Sequence, residues 1–321
     1  VERPMPVTAV NKGLDIPIAG KLSSNTIVNG PAMQEVAMFP FDSVGIKPKL
    51  LVKMGDQVKI GSALFCDRVD EDAIYTSPAA GEIVAINRGD RRKILSIVIR
   101  VAEKEQAVDF GTLDPKGASR EQIKSLIMQS GLWPSLRMRP YNRAANSSDT
   151  PSSIFITAMD TRPLAPAVEA VLAGNEKAFR IGAMAVAKLI DGPTYVCTAK
   201  GSKSDAFQAD GCQNHEFYGP HPAGNAGVHI NALDIVGGDK IVWHIGYQDV
   251  VAVGKLFLEG KLSTEQIVAL VGPSFKETQL VRTRRGANMG TLVKDNLAND
   301  HTRVISGSVL CGITATPDPI D

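Results

Sequence analysis

Few side chains in this chain could do chemistry, and their spacing narrows what that chemistry is. The four cysteines, Cys66, Cys197, Cys212 and Cys311, are 131, 15 and 99 residues apart. No pair stands at the short interval that chelates zinc or anchors an iron–sulfur cluster, so they read as buried thiols in a reducing compartment. His221 sits between two prolines in Gly219-Pro220-His221-Pro222-Ala223-Gly224. The prolines restrict it and the glycines permit close approach by chain or ligand. The loop reads as a rigid turn with an exposed imidazole; a catalytic reading would need a nucleophile or carboxylate beside it. Trp133, Arg137, Arg139, Pro140 and Tyr141 put aromatic faces beside positive charge, which suits a planar, oxygen-bearing ring or an acidic partner surface. Solvated loop charge is the plain alternative. A dinucleotide or flavin would need a glycine-rich strand-to-helix turn. No G-x-G-x-x-G is present, and the prolines and bulky side chains of Asp160-Thr161-Arg162-Pro163-Leu164-Ala165-Pro166 would keep a pyrophosphate from the backbone amides.

Elements must hold these side chains. From Ala37 to Ala102 short apolar runs alternate with turn residues, the pattern of a compact all-β unit. Within it, Gly55-Asp56-Gln57-Val58, Gly61-Ser62-Ala63-Leu64 and Ser77-Pro78-Ala79-Ala80-Gly81 resemble the flattened barrel of the biotinyl/lipoyl carrier family. In that family the modified lysine lies eight residues before the proline. Here that position is Asp70, within Arg68-Val69-Asp70-Glu71-Asp72, and an acid cannot form the amide with biotin or lipoate. The resemblance thus implies a β-sandwich without a swinging arm, its Asp70 tip free as a docking surface.

Ser119-Arg120-Glu121-Gln122 is a capping box, followed by an apolar face of Ile123, Leu126 and Ile127 and a left-handed exit at Gly131. The Pro-, Asn- and Ser-rich stretch that follows reads as a loop. A strand at 154–159, an Ala-rich helix from about Ala165 to Ile190 and a strand at 194–197 predict a parallel crossover. The chain therefore reads as multidomain α/β: an N-terminal segment and carrier-like β-sandwich at 1–104, a doubly wound, Rossmann-like domain at 105–255, and a small mixed-β, β-grasp-like domain at 256–321. The closing ITATPDPID has no cap or tail, so a further C-terminal region is expected.

Composition bounds the function. With Lys+Arg 35 against Asp+Glu 34, the net charge of +1 provides no global field for nucleic acid, and no nucleic-acid partner is expected. Hydrophobic residues at 44% and charged residues at 21% suit a globular protein, and no run approaches a membrane span. The start, VERPMPVTAV, lacks the order of a secretory signal.

Eight longer segments run through nearly the whole chain: KGLDIPIAG, INRGDRR, SGLWPSLRMRP, IFITAMDTRPLA, GPHPAG, IGYQDVVAVGKLFLEG, LVRTRRGA and RVISGSVL. Together they resemble the A-subunit family of the bacterial sodium-pumping NADH:quinone oxidoreductases, whose members continue past a segment like Arg303 to Leu310. The resemblance implies a peripheral subunit on the cytoplasmic side of the inner membrane, in a respiratory complex that passes electrons from NADH to ubiquinone or menaquinone and exports sodium. The implied partners are the membrane-embedded and the flavin-bearing subunits, B and C respectively, and the isolated chain is expected to be inactive. Quinone or partner contacts are assigned to Phe41, Lys49, Trp133, Arg137, Arg139, Tyr141 and His221, with no catalytic residue and no metal ligand. The wider relatives are the flavin-carrying subunit of complex I and the equivalent Rnf subunit, whose glycine-rich flavin loop falls near Ser130 to Arg143. Only Gly131 remains of it, so flavin and NADH binding are implied lost, and neither flavin nor iron–sulfur cluster is expected here. Two other readings stay open: a non-catalytic, carrier-like interaction protein and an NADH/flavin-binding electron-transfer subunit.

Overall fold

The computed structural model describes residues 5–299 and 301–315; the reading of the last residues as an uncapped ending lies outside them. Alternating apolar residues and glycine turns close residues 35–101 into two facing sheets. One has the order Glu35–Met38, Ile94–Val101, Gly81–Arg88, Gln57–Val58, and the other Pro48–Leu50, Ala63–Asp67, Ile74–Thr76. Leu64, Phe65, Ile83, Ile97 and Ile99 are fully buried between them, with the Phe65 ring stacked 4.6 Å from Tyr75. This is the predicted sandwich.

The helix Arg120–Gln129 begins at the predicted capping box: Ser119 accepts from the Gln122 N–H and Gln122 reaches back. Its apolar face lies over a seven-stranded sheet. Four crossover strands, Cys212–Tyr218, Thr194–Ala199, Ile154–Ala158 and Val242–Gly246, run parallel in that order. This is doubly wound connectivity, with its switch point between Ile154–Ala158 and Val242–Gly246. The segment expected to be a loop instead adds two antiparallel edge strands, Arg137–Arg139 and Arg143–Ala144. Alternation explains this: Met138 is buried between two half-exposed arginines. The single Ala-rich helix is two, Val168–Leu172 and Glu176–Ala187, parted where Gly174 turns left-handed at φ 81°.

In the C-terminal unit Glu265–Leu270 pairs with Gln279–Arg284, followed by the short helix Met289–Val293 and a hairpin of Ile305–Ser306 and Ile313–Thr314. The boundary expected at 255/256 falls inside the helix Tyr247–Glu259. The N-terminal segment does not stay with the sandwich: Val7–Ala9 joins the α/β sheet beside Cys212–Tyr218, and Ile27–Asn29 joins Gln279–Arg284. Three-residue strands carry no core of their own, so their pairing partners decide where they lie. Among the described residues no helix is long and apolar enough to cross a membrane, and no group of His, Cys, Asp or Glu could hold a metal ion.

Candidate functional site

The carrier-type hairpin tip is not free. Both Asp70 carboxylate oxygens accept from Ser147 of the α/β domain, one from its N–H at 2.6 Å and the other from its hydroxyl at 2.9 Å. Ser147 lies on a short loop whose carbonyl also accepts from Lys124. Asp70 is therefore turned inward and ties sandwich to α/β domain, while Arg68, Val69, Glu71 and Asp72 stay exposed. The next residue, Glu71, pairs with Lys49 at 2.7 Å on the outer surface.

The turn after Ile154–Ala158, where a nucleotide fold would cradle phosphate, is closed by its own chain. Asp160 forms an ion pair with Arg162 and accepts from the Arg162 N–H at 2.9 Å. The GPHPAG loop sits directly on it: a Cβ at Gly224 would lie 2.6 Å from the Thr161 nitrogen, so only glycine permits this approach. The Thr161 hydroxyl accepts from the Gly224 N–H at 2.9 Å, which leaves its proton for Nδ1 of His221 at 3.1 Å. The His221 N–H donates to Asp15 at 3.0 Å. His221 thus clasps the N-terminal segment to the turn, and the residue is half-buried where an exposed imidazole was expected.

The three units meet around a crevice of about 560 Å3 at the switch point. Asp42 and Tyr75 come from the sandwich, Arg137, His244 and Asp249 from the α/β domain, and Arg285 from the C-terminal unit. The sandwich is seated by the Thr76 hydroxyl, which donates to the Ser130 carbonyl at 2.9 Å. Beside it Gly131 holds φ 79°, and a Cβ there would meet the Thr76 oxygen at 2.3 Å. Arg137 donates to the Asp42 carbonyl at 3.1 Å. Arg285 pairs with Asp249, which also accepts from Ser135 at 3.3 Å.

The electrostatics follow from this crowding. The protein around the Asp42 carboxyl pushes its pKa up against the pull of Arg137, although the residue keeps substantial surface at the mouth. Burial raises the Tyr75 phenol, opposed by a Ser43 hydrogen bond. Burial, then the charges of Arg139 and Arg137, hold His244 down at about 3, so its imidazole is neutral. Its Nε2 accepts from Nε of Arg139 at 3.2 Å, which occupies the lone pair a general base would use. The crevice thus offers hydrogen-bond donors, and its imidazole has no free lone pair at Nε2. An adjoining pocket of about 310 Å3 is apolar along Phe39, Phe41, Val268, Met289 and Leu292. Donors beside an apolar shelf can hold a planar ring with carbonyl oxygens, or an amphipathic segment with an acidic group.

Of the seven residues singled out from sequence, the structure brings Arg137 to the crevice and Phe41 to the shelf. Trp133 is only 1% exposed, its Nε1 bound to the Ala145 carbonyl at 2.9 Å and its ring edge-on to Trp243, so it offers no stacking face. Arg139 is engaged with His244. Tyr141 is 69% exposed, with the Arg143 guanidinium 5.8 Å from its ring. Lys49 and His221 line neither space. Asp42 lies within the stretch Phe41 to Lys49 that sequence reasoning picked out, whereas Tyr75, His244, Asp249 and Arg285 were missed. Asp249 and Arg285 do stand in the segments IGYQDVVAVGKLFLEG and LVRTRRGA. The cysteines are all free, but Cys212 is half-buried and Cys311 exposed, which corrects the uniform burial expected of them. Burial pushes the Cys212 thiol up to about 12, whereas a Ser308 hydrogen bond and then Arg162 lower Cys311.

Three family models match in succession: the NqrA N-terminal barrel-sandwich hybrid domain over residues 8–102, the NqrA second alpha/beta domain over 118–262, and the NQRA C-terminal domain over 267–316. Among curated proteins, the A subunit of the Na(+)-translocating NADH-quinone reductase from Photorhabdus laumondii is 43% identical over 94% of this chain and 68% of its own length. The protein of the same name from Cellvibrio japonicus is 44% identical over the same shares. A crystal structure of an NAD+-reducing NiFe hydrogenase in the air-oxidised state overlays with TM-score 0.47 at 11% identity, over 66% of this chain and 45% of that one. That likeness is too loose to carry an argument.

Proposed function

This chain belongs to the NqrA family, the A subunits of the Na+-translocating NADH-quinone reductases, and from that premise we propose that it works without a redox cofactor of its own. It docks on the membrane-embedded and the flavin-bearing subunits, B and C, on the cytoplasmic side of the inner membrane. There it turns the crevice between its three units toward quinone or the subunit that holds it. The observation that carries this reading is the seat of Gly131 on Thr76. Where the wider relatives keep a flavin loop, this chain has packed its sandwich instead. Asp70, spent on Ser147, argues in the same way against carrier chemistry.

Arg137→Ala in the assembled complex tests the reading. Arg139 is left in place, because removing it would also release His244. Loss of a charge-assisted hydrogen bond is worth about 1.5–3 kcal/mol, so the apparent quinone KM should rise roughly tenfold, or assembly should weaken. The isolated variant should unfold close to the wild-type temperature, since Arg137 makes one hydrogen bond at the surface. The purified chain, dialysed against flavin mononucleotide, should stay colourless. Unchanged quinone kinetics with normal assembly, or a stoichiometric flavin spectrum, would sink the proposal.

A further inference from the structure

The segment INRGDRR has no part in the crevice. It forms the hairpin turn between Gly81–Arg88 and Ile94–Val101. Arg88, Asp90, Arg91, Arg92 and Lys93 are all exposed. Four cations and one acid give this tip a net charge of +3. The rest of the chain keeps 31 Lys+Arg against 33 Asp+Glu, a net −2, so the tip is a local positive pole on a slightly acidic body. Among the described residues none of the four cations forms an ion pair. One side-chain bond is made within the tip, from Arg88 to the Arg92 carbonyl at 3.2 Å.

The backbone gives a second, independent sign. Arg91 at φ 54°, ψ 30° and Arg92 at φ 61° lie inside a turn closed by the Lys93 N–H on the Asp90 carbonyl at 3.1 Å. Two successive left-handed residues in a two-residue hairpin turn make a type I′ turn, where Asn-Gly is at ease and bulky L-residues are strained. This turn presents two arginines at that cost. The base is firm: the Gly89 N–H donates to the Lys93 carbonyl at 2.9 Å, and Asn87 donates to Ser96 at 2.9 Å. Eight residues of strand, about 25 Å, separate the tip from the sandwich end where Glu105 joins Ala80 to Arg284.

We infer that this arginine tip is a docking contact for a carboxylate-bearing surface on a partner subunit, an inference that rests on the chain acting within a multisubunit complex. Three of the four cations are arginines, whose planar forks suit bidentate carboxylate pairs, and the closed turn fixes the backbone that carries two of them. A lipid surface would need neither the fixed backbone nor the preference for arginine, and the tip has no aromatic or aliphatic side chain to enter an interface.

The double variant Arg91→Asn/Arg92→Gly keeps the turn and removes two of the tip's four positive charges. The isolated variant should unfold at the wild-type temperature or above it. Its association with the other subunits, read by co-purification at increasing sodium chloride, should weaken about tenfold or more and fail at lower salt. Arg91→Lys/Arg92→Lys should recover only part of the association, because an ammonium keeps the charge without the bidentate fork. The inference is overturned if the Asn/Gly variant co-purifies like wild type, or if the isolated variant unfolds earlier, which would make the arginines structural. It is also overturned if the isolated wild-type chain binds vesicles of phosphatidylglycerol but not of phosphatidylcholine and the Asn/Gly variant loses that binding, which would make the partner a lipid. Wild-type chain that fails to co-purify with any partner would sink the proposed function as well, and so differs from failure of the tip alone.

Discussion

Two hairpin tips of the same β-sandwich have opposite fates. The tip at Arg68–Asp72 is mainly acidic and stands where a carrier would hold its modified lysine, yet its Asp70 is bound inward to Ser147. The tip at Gly89–Lys93 is basic, makes no ion pair among the described residues and keeps two arginines in strained backbone. A tip that folding has consumed lowers the energy of the isolated chain. A tip that folding has left strained and unpaired gains nothing alone, which is the mark of a surface kept for another molecule.

The comparison can be broken where the sandwich is seated. Gly131→Ala should have the largest effect. It places a Cβ 2.3 Å from the Thr76 oxygen and forces a left-handed L-residue, for a cost of about 3 kcal/mol or more from strain and overpacking together. Denaturant unfolding should show an early transition that separates sandwich from α/β domain. If the midpoint of that transition does not move, the seat contributes nothing.

Asp70→Ala should come next. It removes two hydrogen bonds to a carboxylate at a half-buried junction, and the loss is about 2 kcal/mol. Asp70→Lys should cost more, because it also brings an ammonium toward Lys124, whose Nζ bonds the same serine. Thermal unfolding of the isolated chain reads both. Equal stability of Asp70→Lys and wild type would show that this tip is as free as the other one. The basic tip should behave in the opposite sense, with its Asn-Gly replacement neutral or stabilising in the isolated chain.

Local rules made much of this legible. The sandwich showed in its alternating runs and glycine turns, the helix Arg120–Gln129 in its capping box, and the crossover in the order of apolar segments. Asp70 could be found by counting, because a hairpin tip lies at a fixed distance from its turn. What sequence could not show was where that tip goes, since Ser147 lies 77 residues away and on another domain. Trp133 looked available beside arginines, but the strand Arg137–Arg139 alternates in and out and carries its neighbours into the core. The crevice was hidden for the same reason. Asp249 and Arg285 sit in separate segments and become partners only when helix Tyr247–Glu259 and strand Gln279–Arg284 come together.

Hydrogen–deuterium exchange on the isolated chain and on the assembled complex tests the central claim most directly. Amides of 68–72 should exchange alike in both states, because that tip is already bound within the chain. Amides of 88–93 and of 41–45 at the mouth of the crevice should slow on assembly, because those surfaces meet partner or quinone only then. Equal exchange at 88–93 and 41–45 in both states, or protection gained at 68–72 instead, would contradict the account.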